Sequence, residues 1–135
     1  MPLTDREYRS LAQFRHALRV FQRFSEEAAR AEGLTPSQHQ LLLAVRGWDG
    51  EGAQAPSTSD LADALQLKLH SVVELVQRAE AAGLVERSVD PVDGRRQLVA
   101  LTPLGSKKLA SLSLLHRDEL RRFRAEMVDV LRELE

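Results

Sequence analysis

The sequence of 135 residues contains no cysteine, and this absence excludes several kinds of site. Without thiols the chain cannot form disulfides, cysteine-ligated zinc sites or a thiol-based redox switch. Aromatic residues make up only 4% of the chain, which argues against the stacking platforms that bind single-stranded nucleic acids. The sequence therefore predicts neither a redox sensor nor a single-strand binder.

Long apolar runs are also missing. No segment approaches the roughly 18–20 apolar residues of a membrane-spanning helix, and the N-terminus lacks the pattern of a secretion signal. We therefore expect a cytoplasmic protein with no membrane partner. Because the net charge is −1, any binding to nucleic acid must depend on a local basic face.

The sequence contains four patterns that are typical of helix N-termini. In a capping box, a Ser or Thr side chain and an acceptor side chain three residues later satisfy backbone N–H groups reciprocally. This pattern occurs at residues 4–7 and 35–38 and, in a weaker form, at residues 57–60. Thr102 followed by Pro103 provides a fourth start without a box.

Hydrophobic spacing and turn residues predict the remaining elements. In chain order we expect a helix over residues 5–32, a helix over 36–46, a loop over 47–56, short helices over 59–65 and 69–82, strands over 84–89 and 95–101, and a helix from 103 onwards with a bend near 123–126. Asp93-Gly94 between the strands is typical of a tight hairpin. The expected fold class is mainly α (α+β), a winged helix-turn-helix with a two-stranded β-hairpin wing flanked by long N- and C-terminal helices.

The helix predicted over residues 69–82 has an apolar side and a polar side. Its apolar stripe, which must face the core, comprises Val72, Leu75, Val76 and Ala79. On the other side Gln and Arg can bond base edges, Ser can contact bases or phosphates, and Val can meet a thymine methyl. The candidate DNA-reading residues are therefore His70, Ser71, Val73, Glu74, Gln77 and Arg78. The alternative is an ordinary solvated helix face.

The predicted hairpin carries several arginines. Arg95 and Arg96 follow its tip, Arg87 lies on the opposing strand, and Asp93 is placed to hold the side chain of Arg95. Arginine at a protruding tip can enter a minor groove, whose negative potential attracts it. The alternative is a solubilising turn with a local salt bridge.

Residues 61–105 resemble the multiple-antibiotic-resistance regulator (MarR) family. The matching motifs are Gly-Leu-Val-x-Arg at residues 83–87, Asp-x-Arg at 93–95, Leu-Thr-x-x-Gly at 101–105 and, further upstream, Gly-Leu-Thr-Pro at 33–36. Two positions depart from the pattern, because the family often has Thr and Arg where this chain has Val73 and Glu74.

The resemblance implies a homodimeric repressor that binds an inverted repeat in double-stranded DNA and responds to a small aromatic or anionic effector. It further implies one domain over residues 1–135, with dimerisation helices at 1–33 and 103–135 and a winged lobe at 34–102. Arg95 would then be the wing arginine directed at the minor groove, with Asp93 orienting it. The rival hypothesis is a helical protein–protein interaction module that kept the fold but lost DNA binding.

The predicted terminal helices carry apolar stripes that one small chain is not expected to cover. We expect them to form a two-fold dimer interface, the alternative being that the stripes pack on each other within one chain. The candidate interface residues are Leu11, Phe14, Leu18, Phe21, Leu120, Phe123, Met127 and Leu131.

The four histidines, at positions 16, 39, 70 and 116, lack the close spacing of a metal site, so we expect no metal and no cofactor. They are interpreted as scattered, solvent-facing side chains. A minor alternative is that Arg15 and His16 line a pocket for an anionic ligand. No catalytic signature is evident, and the sequence therefore does not indicate an enzyme.

Overall fold

The computed structural model describes residues 1–50 and 54–134. These residues form α1 (Asp5–Ala31), α2 (Pro36–Arg46), α3 (Thr58–Leu65), α4 (Leu69–Ala81), β1 (Val85–Val89), β2 (Gln97–Leu101) and α5 (Pro103–Glu133). The arrangement is a winged helix-turn-helix with long flanking helices, which confirms the predicted fold class. Residues 51–53 of the predicted loop lie outside the described residues.

All four predicted helix starts form N-caps. In each of the three capping boxes the cap side chain accepts a hydrogen bond from the backbone N–H of the third helical residue, and the side chain of that residue accepts one from the cap backbone N–H; the pairs are Thr4 with Glu7, Thr35 with Gln38 and Ser57 with Asp60. At the start of α5, Thr102 accepts a hydrogen bond from the N–H of Gly105. These local contacts explain why α1, α2, α3 and α5 begin where the sequence predicts.

The hydrophobic core lies between α2, α3, α4, the hairpin and the first half of α5. Its side chains are removed from water almost completely, and the largest of them are Leu41, Leu42, Leu61, Leu84, Leu112, Val72, Val76, Val85 and Val99. Most belong to the helix-turn-helix and the hairpin, so the core fixes the position of the proposed DNA-reading helix.

The hairpin differs from the prediction at its tip. Strands β1 and β2 pair antiparallel with Arg87 opposite Val99, but Arg95 and Arg96 belong to the connection rather than to β2. Gly94 does not take the left-handed conformation that a two-residue turn requires. Instead, the N–H of Asp90 donates to the carbonyl of Arg96 at 3.0 Å, which closes a longer loop over residues 90–96. We call this segment the tip loop.

Helix α5 is continuous from Pro103 to Glu133, so the expected division into two helices by a bend near residues 123–126 was wrong. No Gly or Pro interrupts the helical hydrogen bonds there, and α5 packs against α1 in the same chain. None of the described helices has the length and apolar character needed to cross a membrane.

The Leu-Thr-x-x-Gly motif joins α5 to the start of the hairpin. The hydroxyl of Thr102 donates to the carbonyl of Gly83, and its N–H donates to the carbonyl of Leu84 at 3.0 Å. A Cβ atom on Gly105 would lie 2.1 Å from the Leu84 carbonyl oxygen, a distance at which atoms overlap. The glycine is therefore required by close backbone packing.

Candidate nucleic-acid interface

A short turn sets α4 across α3. Gln66 ends α3 in the left-handed conformation, with φ 54°, and its side-chain Nε2 donates to the carbonyl of Asp63 at 2.7 Å. Leu67 and Lys68 follow, and α4 begins at Leu69. A turn of this length between two helices is the geometry of a helix-turn-helix.

The two sides of α4 differ in exposure as the sequence predicted. Val72, Val76 and Ala79 are fully buried in the core, while Leu75 is partly buried against it. Ser71 and Val73 are half-buried at the margins of the opposite side. The remaining four candidate residues are exposed, namely His70, Glu74, Gln77 and Arg78. Within residues 1–50 and 54–134, this face of α4 is left uncovered.

Arg95 projects from the tip loop with its side chain 92% exposed. The Asp93 carboxylate accepts hydrogen bonds from the N–H of Arg95 at 3.1 Å and from its side-chain Nε at 3.2 Å. These hydrogen bonds hold the pKa of Asp93 below its usual value. The structure thus forms the predicted contact between these two side chains and leaves the guanidinium in solvent.

The side chain of Arg87 extends from β1 to α4. Its guanidinium forms two hydrogen bonds with the Glu80 carboxylate, at 2.9 and 3.3 Å, and a third with the Gln97 side chain at 3.3 Å. The paired guanidinium lowers the pKa of Glu80. Arg87, which the sequence predicted to contact DNA, therefore links the hairpin to α4, the proposed recognition helix.

Arg96, unlike Arg95, contacts a side chain in the body of the lobe. Its Nη2 lies 3.1 Å from an Asp60 carboxylate oxygen, and its Nη1 lies 3.9 Å from the Asp90 carboxylate. The Arg96 side chain is 43% exposed, less than half the exposure of Arg95. The two neighbouring arginines thus have different environments, which their sequence positions did not reveal.

An apolar cavity of about 460 Å³ lies between the terminal helices and the winged lobe. Phe21 of α1, His39 and Leu43 of α2, and a row of α5 residues line it; the row consists of Ser113, His116, Arg117, Leu120, Arg121 and Arg124. The sequence did not identify the residues that line this cavity, because its walls come from three separate helices.

Two of the four histidines are buried at this cavity, so the expectation that all four face solvent was wrong. His39 and His116 retain only 5% and 9% exposure. The ring nitrogens of His116 lie 2.8 Å from the Leu112 carbonyl and 2.8 Å from the Ser25 hydroxyl. The available signal was spacing, because His39 precedes the buried Leu42 by three residues and His116 follows Leu112 by four.

Arg15 and His16 do not line the apolar cavity. Both are exposed on α1, and His16 borders a separate cleft of about 280 Å³ beside Glu126 and Asp129. Those two carboxylates disfavour an anion there. In the described ranges, no cluster of three or more His, Asp or Glu side chains is arranged to hold a metal ion.

The apolar stripes of α1 and α5 pack partly on each other within the chain. The rings of Phe21 and Phe123 lie 5.4 Å apart, Met127 is buried, and Phe14 and Leu18 are half-buried. Other members of the stripes are exposed to solvent: Leu11 is 41% exposed, Leu120 49% and Leu131 56%. The intrachain alternative therefore accounts for part of the predicted dimer interface.

Comparison with known proteins places this geometry in a family. A family model described as the MarR family matches residues 32–96. The uncharacterized HTH-type transcriptional regulator YdcH of Bacillus subtilis is 30% identical over 112 residues, which cover 82% of this chain and 76% of that protein.

Solved structures of MarR-type regulators have the same fold. AbsC from Streptomyces coelicolor, a MarR family transcriptional regulator, matches with a TM-score of 0.77 and 24% identity over 94% of this chain and 84% of its own. BpsR of Bordetella bronchiseptica, whose DNA binding is regulated by 6-hydroxynicotinic acid, matches with a TM-score of 0.67 and 26% identity over 89% and 86%. Fold, family model and relative agree, and this chain belongs to the MarR family of transcriptional regulators, which are not enzymes.

Proposed function

We propose that this regulator binds double-stranded DNA through α4 and the tip loop. The observation that carries the proposal is the exposure of the Arg95 guanidinium beside a recognition helix whose polar face is also uncovered. Regulated DNA binding in the similar BpsR supports it. In this arrangement α4 enters the major groove and Arg95 reaches the minor groove, with Asp93 limiting the directions the arginine can take.

The exposed residues of α4 have the chemistry for reading bases. Gln77 can form two hydrogen bonds with the edge of an adenine, and Arg78 can form two with the edge of a guanine. Glu74 can accept a hydrogen bond from the cytosine amino group. His70 can contact a phosphate or a base edge, while Ser71 and Val73 lie at the margins of the face. Glu74 repels phosphates, so it favours sequence-dependent binding over binding to any duplex.

The proposed assembly is a homodimer that uses the apolar side chains left exposed on the terminal helices. Leu11, Leu120 and Leu131 provide that surface. The chain then divides into dimerisation helices at 1–33 and 103–135 and a winged lobe at 34–102. Two-fold symmetry requires an inverted repeat whose half-sites lie about one helical turn, or roughly 10 bp, apart.

The apolar cavity is the proposed effector site. Phe21, Leu43 and Leu120 supply an apolar surface for a planar ring, and the arginines of α5 supply positive charge for a carboxylate. Regulation of BpsR by 6-hydroxynicotinic acid supports an aromatic acid as the ligand class. Because the cavity touches both the lobe and the terminal helices, an occupant changes their relative position and releases the repressor from DNA.

The test begins with selection of genomic fragments by the purified protein, followed by titration of the selected duplex at several salt concentrations. The logarithm of the binding constant should fall linearly with the logarithm of salt concentration, because bound cations are released from phosphates. Failure to bind any duplex at low salt would favour the rival function, a protein–protein interaction module built on the same fold.

A further inference from the structure

We propose that Arg96 is a positioning residue that fixes the wing to the N-terminus of α3 and so sets where Arg95 meets DNA. The inference rests on the proposed DNA binding, but it concerns a part of the lobe that the proposal above does not use. Three side chains carry it: Arg96, Asp60 and Asp90. We call them the wing clamp.

Asp60 connects the clamp to the start of α3. A single carboxylate oxygen of Asp60 accepts the backbone N–H of Ser57 at 2.9 Å and Nη2 of Arg96 at 3.1 Å. The same segment also binds β2 through the backbone, since the N–H of Val99 donates to the carbonyl of Pro56 at 2.9 Å. The Arg96 side chain therefore adds a second contact, beside this backbone hydrogen bond, between the hairpin and the start of α3.

Asp90 connects the clamp to the tip loop. Its side chain is only 2% exposed, and its carboxylate accepts the N–H of Val92 at 2.8 Å. Within the described ranges its cationic partner is Arg96, with Nη1 at 3.9 Å. A buried carboxylate that loses its cation is unfavourable, so removal of Arg96 would force the tip loop to rearrange.

The same contacts argue against Arg96 as a direct DNA contact. Both terminal nitrogens of its guanidinium face carboxylates, whereas the Arg95 guanidinium is almost fully in solvent. To reach a phosphate, Arg96 would have to break its contact with Asp60 and move its positive charge away from the buried Asp90 carboxylate. The geometry thus separates two roles, with Arg95 contacting DNA and Arg96 holding the loop that carries it.

The first experiment measures duplex binding by Arg96→Ala, Asp60→Asn and the double variant. Asn at position 60 keeps an acceptor for the Ser57 N–H, so the helix cap is retained. We expect each single variant to bind about fivefold to tenfold more weakly and the double variant to be no weaker than Arg96→Ala, because Arg96→Ala already removes the contact with Asp60. The salt dependence should match that of the wild type.

Arg96→Lys distinguishes positioning from simple charge. Lysine keeps the positive charge but lacks the two-pronged guanidinium that reaches both carboxylates, so it should bind DNA as weakly as the alanine variant. Restored affinity in the lysine variant would overturn the proposal. So would additive losses in the double variant, or a salt slope that falls by about one unit as expected for a lost phosphate contact.

The second experiment needs no DNA. Amide hydrogen exchange at Val92 and Val99, whose N–H groups donate within the clamped region, should accelerate in Arg96→Ala but not in Arg95→Ala. Unchanged exchange at both amides in Arg96→Ala would overturn the clamp. A wild-type protein that binds no duplex would refute the proposed function, whereas this exchange measurement would still decide the role of Arg96.

Discussion

The imidazole rings of His39 and His116 lie 4.7 Å apart, centroid to centroid, and join α2 of the winged lobe to α5 of the terminal helices. His116 also contacts Ser25 of α1, and the rings of Phe21 and Phe24 lie against its edge. Arg117, Arg121 and Arg124 border the same cavity. Burial and the neighbouring His116 lower the pKa of His39, so the structure favours its neutral form.

The stability of the fold should decrease on acidification because of His39. Its pKa is lower in the folded chain than in the unfolded one, so the unfolded state binds more protons as pH falls below about 6.5. The contribution of neutral His39 is therefore complete above that pH and is lost as pH falls through the folded-state pKa. Urea unfolding between about pH 5 and pH 8 should show this loss, and His39→Gln should reduce it. His70→Gln, at an exposed position, should leave the profile unchanged; a wild-type-like profile for His39→Gln would contradict the prediction.

Gly105→Ala should destabilise the protein by about 1–3 kcal/mol, because the added Cβ overlaps the Leu84 carbonyl oxygen. The direction of the change in stability is informative, since replacing glycine by alanine within a helix normally stabilises it. Gly94→Ala is the matched control, because its Cβ would meet only Val89 at an ordinary 3.9 Å. Chemical denaturation measures both, and a stabilised Gly105→Ala protein would show that the start of α5 does not pack against Leu84 as described.

Arg95→Ala should weaken specific duplex binding by about 1–3 kcal/mol and leave the free energy of unfolding nearly unchanged. The reason is that, among the described residues, its guanidinium pairs with Asp93 alone and is otherwise in solvent. Fluorescence anisotropy with the selected duplex measures the change, and Arg19→Ala on α1 controls for the loss of one positive charge. Equal affinity in the Arg95 and Arg19 variants would remove the wing from the mechanism.

Leu131→Glu should convert dimers to monomers, because it places a charge in the exposed apolar surface proposed to join two copies. Leu114→Glu is the control, since Leu114 is equally exposed on α5 but lies outside the predicted stripe. Sedimentation velocity distinguishes the two states. A dimer that persists in Leu131→Glu would place the interface elsewhere.

An aromatic carboxylate should bind in the apolar cavity and raise the melting temperature progressively as its concentration increases above the Kd. With 6-hydroxynicotinic acid or benzoate as the probe, Arg124→Ala should bind more weakly, because Arg124 borders the cavity. Benzamide, which has the ring but no charge, tests the role of the carboxylate, and Arg132→Ala tests the loss of a distant arginine on the same helix. Equal binding by both arginine variants would exclude Arg124 from the site.

Local sequence was sufficient to predict the order of the elements. Each capping box acts over three residues, and Gly33 and Gly83 take the left-handed conformation just after their helices end. The exposure of the Arg95 side chain and its contact with Asp93 were also predictable, because the two residues are only two positions apart. The packing of the unbroken α5 against α1 was not predictable, since it depends on another helix.

The sequence by itself determined where the helices begin, which side of α4 is apolar and that the wing bears arginines, because caps, helical periodicity and turns involve neighbours along the chain. Only the tertiary structure decided that Arg87 and Arg96 are paired, that His39 meets His116 and that three helices enclose a cavity. The partner of Arg96 lies 36 residues away in the sequence. Contacts between residues so far apart depend on how helices and strands pack, and they cannot be predicted from the order of neighbouring residues.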